Sequence, residues 1–126
     1  MKKDRTKDPL YSMMQVRKVH NMHERTVSQE HDAANLVGGK RHKGSGSSIF
    51  CKSDASSSAF QVECKQTIKK SMVIQLEWLE KIQREALGKT KKPLLHLRFD
   101  AAASDTPKDW VCIPRWVFER MVLNES

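Results

Sequence analysis

Residues 54–65 read DASSSAFQVECK, and the rest of the chain is organised around them. An aspartate closes a short apolar run, SSIFCKSD. A Ser-rich turn follows, then a second run, AFQVECK. In a strand, successive side chains point to opposite faces. Phe60, Val62 and Cys64 therefore share one face, and Gln61, Glu63 and Lys65 share the other. The first set reads as core. The second carries a carboxylate and an ammonium as neighbours on one side. Pairing residues 48–54 with 59–66 as a hairpin, turning through 55–58, brings Asp54 towards Glu63. Two carboxylates held close repel unless a cation lies between them, and hard divalent ions prefer such oxygens. A lysine beside them suits charge stabilisation or activation of a water. The three residues point to a metal-dependent phosphodiester nuclease site. Taken alone, Glu-x-Lys on a strand more often marks a solvated face with a weak ion pair. The flanking segments carry the rest of the argument.

The chain has 126 residues, enough for one domain with a modest core. Its net charge is +8 and its sequence pI is about 9.6. A basic balance of this size favours a polyanionic partner, most often nucleic acid. Cys51, Cys64 and Cys112 are odd in number, form no C-x-x-C pair and lie in apolar runs. They read as small buried hydrophobes in a reducing compartment. A zinc site built from them and the five histidines lacks ligand spacing. The start, MKKDRTKDPL, is basic without a following apolar stretch, so no signal peptide is expected. No segment reads as long and apolar enough for a membrane.

Residues 1–25 are expected to form a basic arm or an extra helix, and 26–126 a single domain. Six Lys/Arg face two Asp in residues 1–20. A helix is expected from about Ser28, bearing Glu30, Ala33, Ala34 and Val37 and stopping at Gly38–Gly39. Residues 38–48, GGKRHKGSGSS, read as a flexible basic loop. Its N–H groups, Lys40, Arg41, Lys43 and the Ser45 and Ser47 hydroxyls suit phosphate oxygens. It is not a P-loop, since no G-x-x-x-x-G-K-[ST] is present. Residues 71–88 form the clearest helix, with Ser71 as its cap and an apolar stripe through Met72, Leu76, Leu79, Ile82 and Ala86. Trp78 falls off that stripe and reads as core edge. PLLHLRF from Pro93 and the run 110–113 read as strands. His96 between leucines reads as a core-edge histidine. Pro114 opens a last helix, with Val117, Met121 and Phe118 expected inward. The order calls for an α/β fold, a mixed central sheet flanked by helices.

Taken in this order, the chain resembles the PD-(D/E)XK nucleases, and within them the Holliday junction resolvases of archaea and phages. The likeness runs from about Glu30 to Phe118 through GGKRHKGSGS, KSD, VECKQT, the amphipathic helix, PLLHLRF and DWVCIP. It implies a restriction-endonuclease-like fold. It implies that Asp54 and Glu63 ligate magnesium, or manganese in its place, with the backbone oxygen of Cys64. Lys65 would activate the water and steady the developing charge. Glu30, with Glu24 as the alternative, matches the family's helix-borne acid. Arg41 and Ser45 fall where the family places a phosphate-contacting base and a serine needed for cleavage, and Thr67 at a DNA-contacting position. The chain departs in having Ser53, not proline, before Asp54, and a short segment between Glu30 and Arg41. The resemblance further implies branched DNA as substrate, a homodimer, and work in the cytoplasm, that of an infected cell if phage-encoded. The residues leave three readings open: a resolvase, a nuclease of other specificity (nicking, flap or degradative), and a nucleic-acid-binding protein without catalysis.

Overall fold

A computed structural model describes residues 9–42 and 53–125, with the side chains of 22–42 and 53–124. The elements are α1 (Pro9–Val37), β1 (Lys40–Arg41), β2 (Ala55–Ser56), β3 (Phe60–Thr67), α2 (Leu76–Gly88), β4 (Lys92–Phe99), β5 (Asp109–Cys112) and α3 (Arg115–Glu125). They build a mixed α/β fold on a five-stranded sheet ordered β1-β2-β3-β4-β5. β1, β2 and β3 run antiparallel. β3 and β4 run parallel, with α2 as their crossover, and β5 returns antiparallel on β4. Among the described residues no helix is long and apolar enough to cross a membrane.

Alternation along β3 and β4 separates two faces. Val62 pairs with Leu94 and Cys64 with His96, and this face receives α1. Glu63 pairs with Leu95 and Lys65 with Leu97, and this face receives α2. Ala33 and Ala34 let α1 lie close on Ala55, Val62 and Leu94, with Val37, Phe60 and Cys64 packed around them. Under α2, Ile82 lines a cavity with Pro93 and Leu95. The helix α1 ends where Gly38 takes φ +70°, a left-handed backbone that glycine adopts without strain. A Cβ on Gly39 would lie 1.9 Å from the Ser56 carbonyl oxygen, so only glycine lets β1 pair with β2.

Several expectations are corrected. α1 begins at Pro9, so residue 25 is not an element boundary, and Arg25 is ion-paired to Asp100. Lys40 and Arg41 form an edge strand rather than loop. The hairpin turn is tighter than expected, because Ala55 and Ser56 already pair with Val62 and Gln61. The helix α2 starts at Leu76 after Gln75, not at Ser71. β-Branched Val73 and Ile74 favour extended backbone over a first helical turn. Among the described residues of α3 only Val117 is buried, while Phe118 and Met121 are exposed. Cys64 and Cys112 are free and half-buried rather than buried; Cys51 lies outside the described residues.

Candidate active site

The β2–β3 hairpin fixes the first carboxylate. Asp54 lies just before β2, and its N–H donates to the Val62 carbonyl at 3.0 Å. Its Oδ2 accepts the Cys64 N–H at 2.7 Å. Backbone and side chain together hold Asp54 against the middle of β3. Glu63 and Lys65 project from the opposite face of β3, under α2. Their two-residue spacing puts Lys65 Nζ 3.8 Å from Glu63 Oε1.

Glu63 is only 7% exposed, and its Oε2 has no hydrogen-bond partner among the described residues. Burial, and then the charge of Asp54, push its carboxyl up to about 7. Lys81 and Lys65 pull the other way without offsetting them. Glu30 is also buried, on α1, and accepts from Arg41 Nε at 3.3 Å. Its carboxyl is raised by burial and then by Asp54, with Arg41 opposing. Asp54 thus acts on both Glu30 and Glu63, one on each face of the sheet.

α2 supplies groups that the sequence reading does not assign to the site. Lys65 Nζ lies over the Trp78 ring, 4.6 Å from its centroid. Lys81 Nζ lies 3.9 Å from Glu63 Oε2. Glu63, Lys65, Glu77, Trp78, Lys81 and Arg84 line a pocket of about 340 Å³. Beneath it, the Ser53 hydroxyl accepts from Gln61 Nε2 at 2.6 Å and donates to Glu85 Oε2 at 2.6 Å. From the other face, Gln29 Nε2 donates to the Lys65 carbonyl at 2.9 Å and lies 3.0 Å from His96 Nδ1. Buried His96 is held below its ordinary range, chiefly by desolvation. Its neutral ring accepts from Gln29 and ties β4 to the strand carrying the site. Trp78, off the apolar stripe and three residues before Lys81, is the one sequence signal for the α2 contribution. Gln29, Ser53, Gln61 and Glu85 carry none.

The structure brings Asp54, Cys64, Glu63 and Lys65 together, with Glu30 and Arg41 beside them. Arg41 is engaged with Glu30 rather than projecting alone. Lys40 is exposed on the sheet edge. Thr67 ends β3, and its hydroxyl accepts the Lys69 N–H. Glu24 lies on a separate groove with Arg25, Ser28 and Arg98. Lys43, Ser45 and Ser47 lie outside the described residues. Among the described residues no group of three or more His, Cys, Asp or Glu side chains forms a ready metal cage. The pair Asp54 and Glu63 nonetheless fits magnesium in donor chemistry, because both are hard oxygen donors. The buried Oε2, with Lys81 at ion-pair distance but no hydrogen-bond partner among the described residues, and the raised Glu63 carboxyl both mark a place where further positive charge is wanted.

No family model matches the sequence, and no curated protein or solved structure matches it either.

Proposed function

We propose that the chain is a magnesium-dependent endonuclease of the PD-(D/E)XK kind, restriction-endonuclease-like in fold, which resolves four-way junctions in branched DNA. One observation carries the reading: Asp54, Glu63 and Lys65 meet on one hairpin, with Glu63 buried and bare at one oxygen. A protein that only held DNA would gain nothing from carboxylates facing a polyanion, whereas a metal nuclease needs them.

Asp54 and Glu63 would hold the ion, with the Cys64 backbone oxygen. Magnesium, when bound, supplies positive charge against the phosphate and makes a water more acidic. Lys65 directs its ammonium to the scissile phosphate and stabilises charge that develops there. Gln29 keeps the Lys65 backbone in register through its carbonyl. Glu30 orients water from the α1 side, and Lys40, Arg41 and Thr67 contact the DNA backbone, as do Lys43, Ser45 and Ser47. A twofold dimer suits the near-twofold symmetry of a junction. The edge strand β5 and the exposed apolar residues of α3 supply surface for it. The cytoplasm, that of an infected cell if phage-encoded, is the working compartment.

The test is cleavage of a labelled four-way junction beside a linear duplex of matched arms, with magnesium, manganese or EDTA, for wild type and Lys65→Ala. Paired, metal-dependent cuts confined to the junction and reduced at least about a hundredfold in the variant are expected, since electrostatic groups of this kind contribute that much. Cutting of every substrate would instead define a nuclease of other specificity. Tight binding without cleavage under either metal would overturn the catalytic reading.

A further inference from the structure

The helix α2 has two working faces. Ile82 and Ala86 are buried against the sheet. Glu77, Trp78, Lys81 and Arg84 follow the i, i+1, i+4, i+7 spacing of a second face, and this face overhangs Glu63 and Lys65. The pocket there carries three cations against two carboxylates and has an indole for a wall. Two of the cations, Lys81 and Arg84, are only loosely engaged. Lys81 is 45% exposed, and its Nζ stands 3.9 Å from Glu63 Oε2, beyond hydrogen-bond reach. Among the described residues Arg84 has no ion pair with any carboxylate. An entering anion therefore displaces little to reach either side chain.

We propose that this α2 pocket binds one unpaired nucleotide of the substrate, its phosphate on Lys81 and Arg84 and its base on the Trp78 indole. The inference rests on the nuclease reading and adds the structural feature that the enzyme reads. The volume, about 340 Å³, suits a single nucleotide and not a duplex. Lys65 now covers the Trp78 ring. A base stacked on an aromatic ring is held at least as well as the cation it displaces. Seating the base thus releases the Lys65 ammonium from the indole towards the scissile phosphate. Trp78 is in this sense a positioning residue for Lys65 as well as a binding wall. Branch points are where a DNA strand can offer such a nucleotide, because stacking there is interrupted.

The chain has three tryptophans, so Trp110→Phe with Trp116→Phe leaves Trp78 as sole reporter. Its fluorescence is titrated in EDTA with a 5′-phosphorylated oligothymidylate and with a blunt duplex of equal length. The single strand is expected to quench Trp78 saturably and to bind at least about fivefold more tightly than the duplex, the lower end of what one stacked base contributes. Lys81→Met weakens single-strand binding at least about fivefold, whereas Lys108→Met, on the distant loop before β5, leaves it unchanged. Equal quenching by strand and duplex, or an unaltered affinity in Lys81→Met, overturns the proposal. If the double variant does not fold, wild type minus Trp78→Phe gives the same signal by difference. Junction cleavage in magnesium is scored separately. Quenching without cleavage overturns the nuclease reading alone, and cleavage without quenching overturns the pocket alone.

Discussion

Glu63 is the residue on which the site's chemistry and the fold's stability conflict. Its carboxyl is pushed up from 4.5 to about 7 in the folded chain, first by burial and then by Asp54. A carboxyl raised in this way binds its proton more tightly folded than unfolded. It therefore costs nothing below about pH 4.5, and stability falls as pH rises from there through about 7. At about 1.4 kcal/mol per unit, the full cost above that window is on the order of 3 kcal/mol. Glu63→Gln removes the charge at constant shape. It is expected to raise the melting temperature of the metal-free protein above about pH 7 and to abolish cleavage. Magnesium at the proposed site would have to displace the Glu63 proton, so its stabilisation of wild type is expected to grow from about pH 6 to about pH 8. Thermal unfolding of both proteins at the two pH values, with and without magnesium, measures this. A variant less stable than wild type at the higher pH, or an equal magnesium shift in both proteins, sinks the assignment. Glu63, Lys65 and the core face of β3 are legible in the sequence because strand alternation is a local, period-two property. The partners of Glu63 on α2 are not legible. Lys81 and Glu85 reach the site only through where α2 docks along the sheet; its apolar stripe tells which face turns inward, but no local pattern tells which strand residues that face meets.

Among the elements, the joint between the β2–β3 hairpin and α2 is the one most exposed to damage. Ser53 supplies its buried hydrogen-bonded link, beside the Glu63–Lys81 and Lys65–Trp78 contacts. It is fully buried, accepts from Gln61 on β3 and donates to Glu85 on α2. Ser53→Ala leaves an amide donor and a carboxylate oxygen buried without partners. Orphaned groups of this kind cost about 1–3 kcal/mol. A lower urea midpoint with an unchanged slope is expected. A loss below about 0.5 kcal/mol would mean that water or a shifted Glu85 replaces the hydroxyl. The variant is also expected to cleave more slowly, because Asp54 follows Ser53 directly and loses its anchored neighbour. The elements differ in how far they show in the sequence. β3, β4 and the end of α1 are marked by apolar runs and by Gly38–Gly39. The start of α2 is not, since its cap position holds Gln75 with no side-chain hydrogen bond, and Ser71 imitates a cap four residues too early in the reading. β1 is hidden because two residues of strand leave no periodicity. It exists only because Gly39 lets the chain approach Ser56.

At the scale of the molecule, charge and apolar surface serve different ends. The net charge of +8 on 126 residues favours a polyanion without choosing its shape. Part of the exposed apolar surface lies at the other sheet edge, where β5 exposes Trp110 and Val111 and the following α3 exposes Phe118, Met121, Val122 and Leu123. Phe118 and Val122 stand one turn apart on α3, 58% and 50% exposed. A twofold interface sets such a row against itself, so one apolar patch serves both copies. This end is readable in the sequence as an apolar helix, but the sequence does not say that α3 withholds most of its apolar side chains from its own core. A short helix whose apolar residues exceed what one face can bury has that ambiguity built in. The proposed dimer makes a prediction that couples assembly to chemistry. Phe118→Glu with Val122→Glu places like charges against each other across the axis and should give a monomer by light scattering. Both substituted side chains are exposed and neither belongs to the hairpin site, so the monomer is expected still to nick junctions. Each encounter then cuts one strand, and paired cuts in a supercoiled cruciform give way to nicked circles. Junction affinity also loses about half its salt dependence, since the slope counts the phosphates that one bound unit neutralises. A wild-type chain that is already monomeric, or a monomeric variant that still makes paired cuts, would remove the dimer from the mechanism and leave α3 as an apolar surface without a role in resolution.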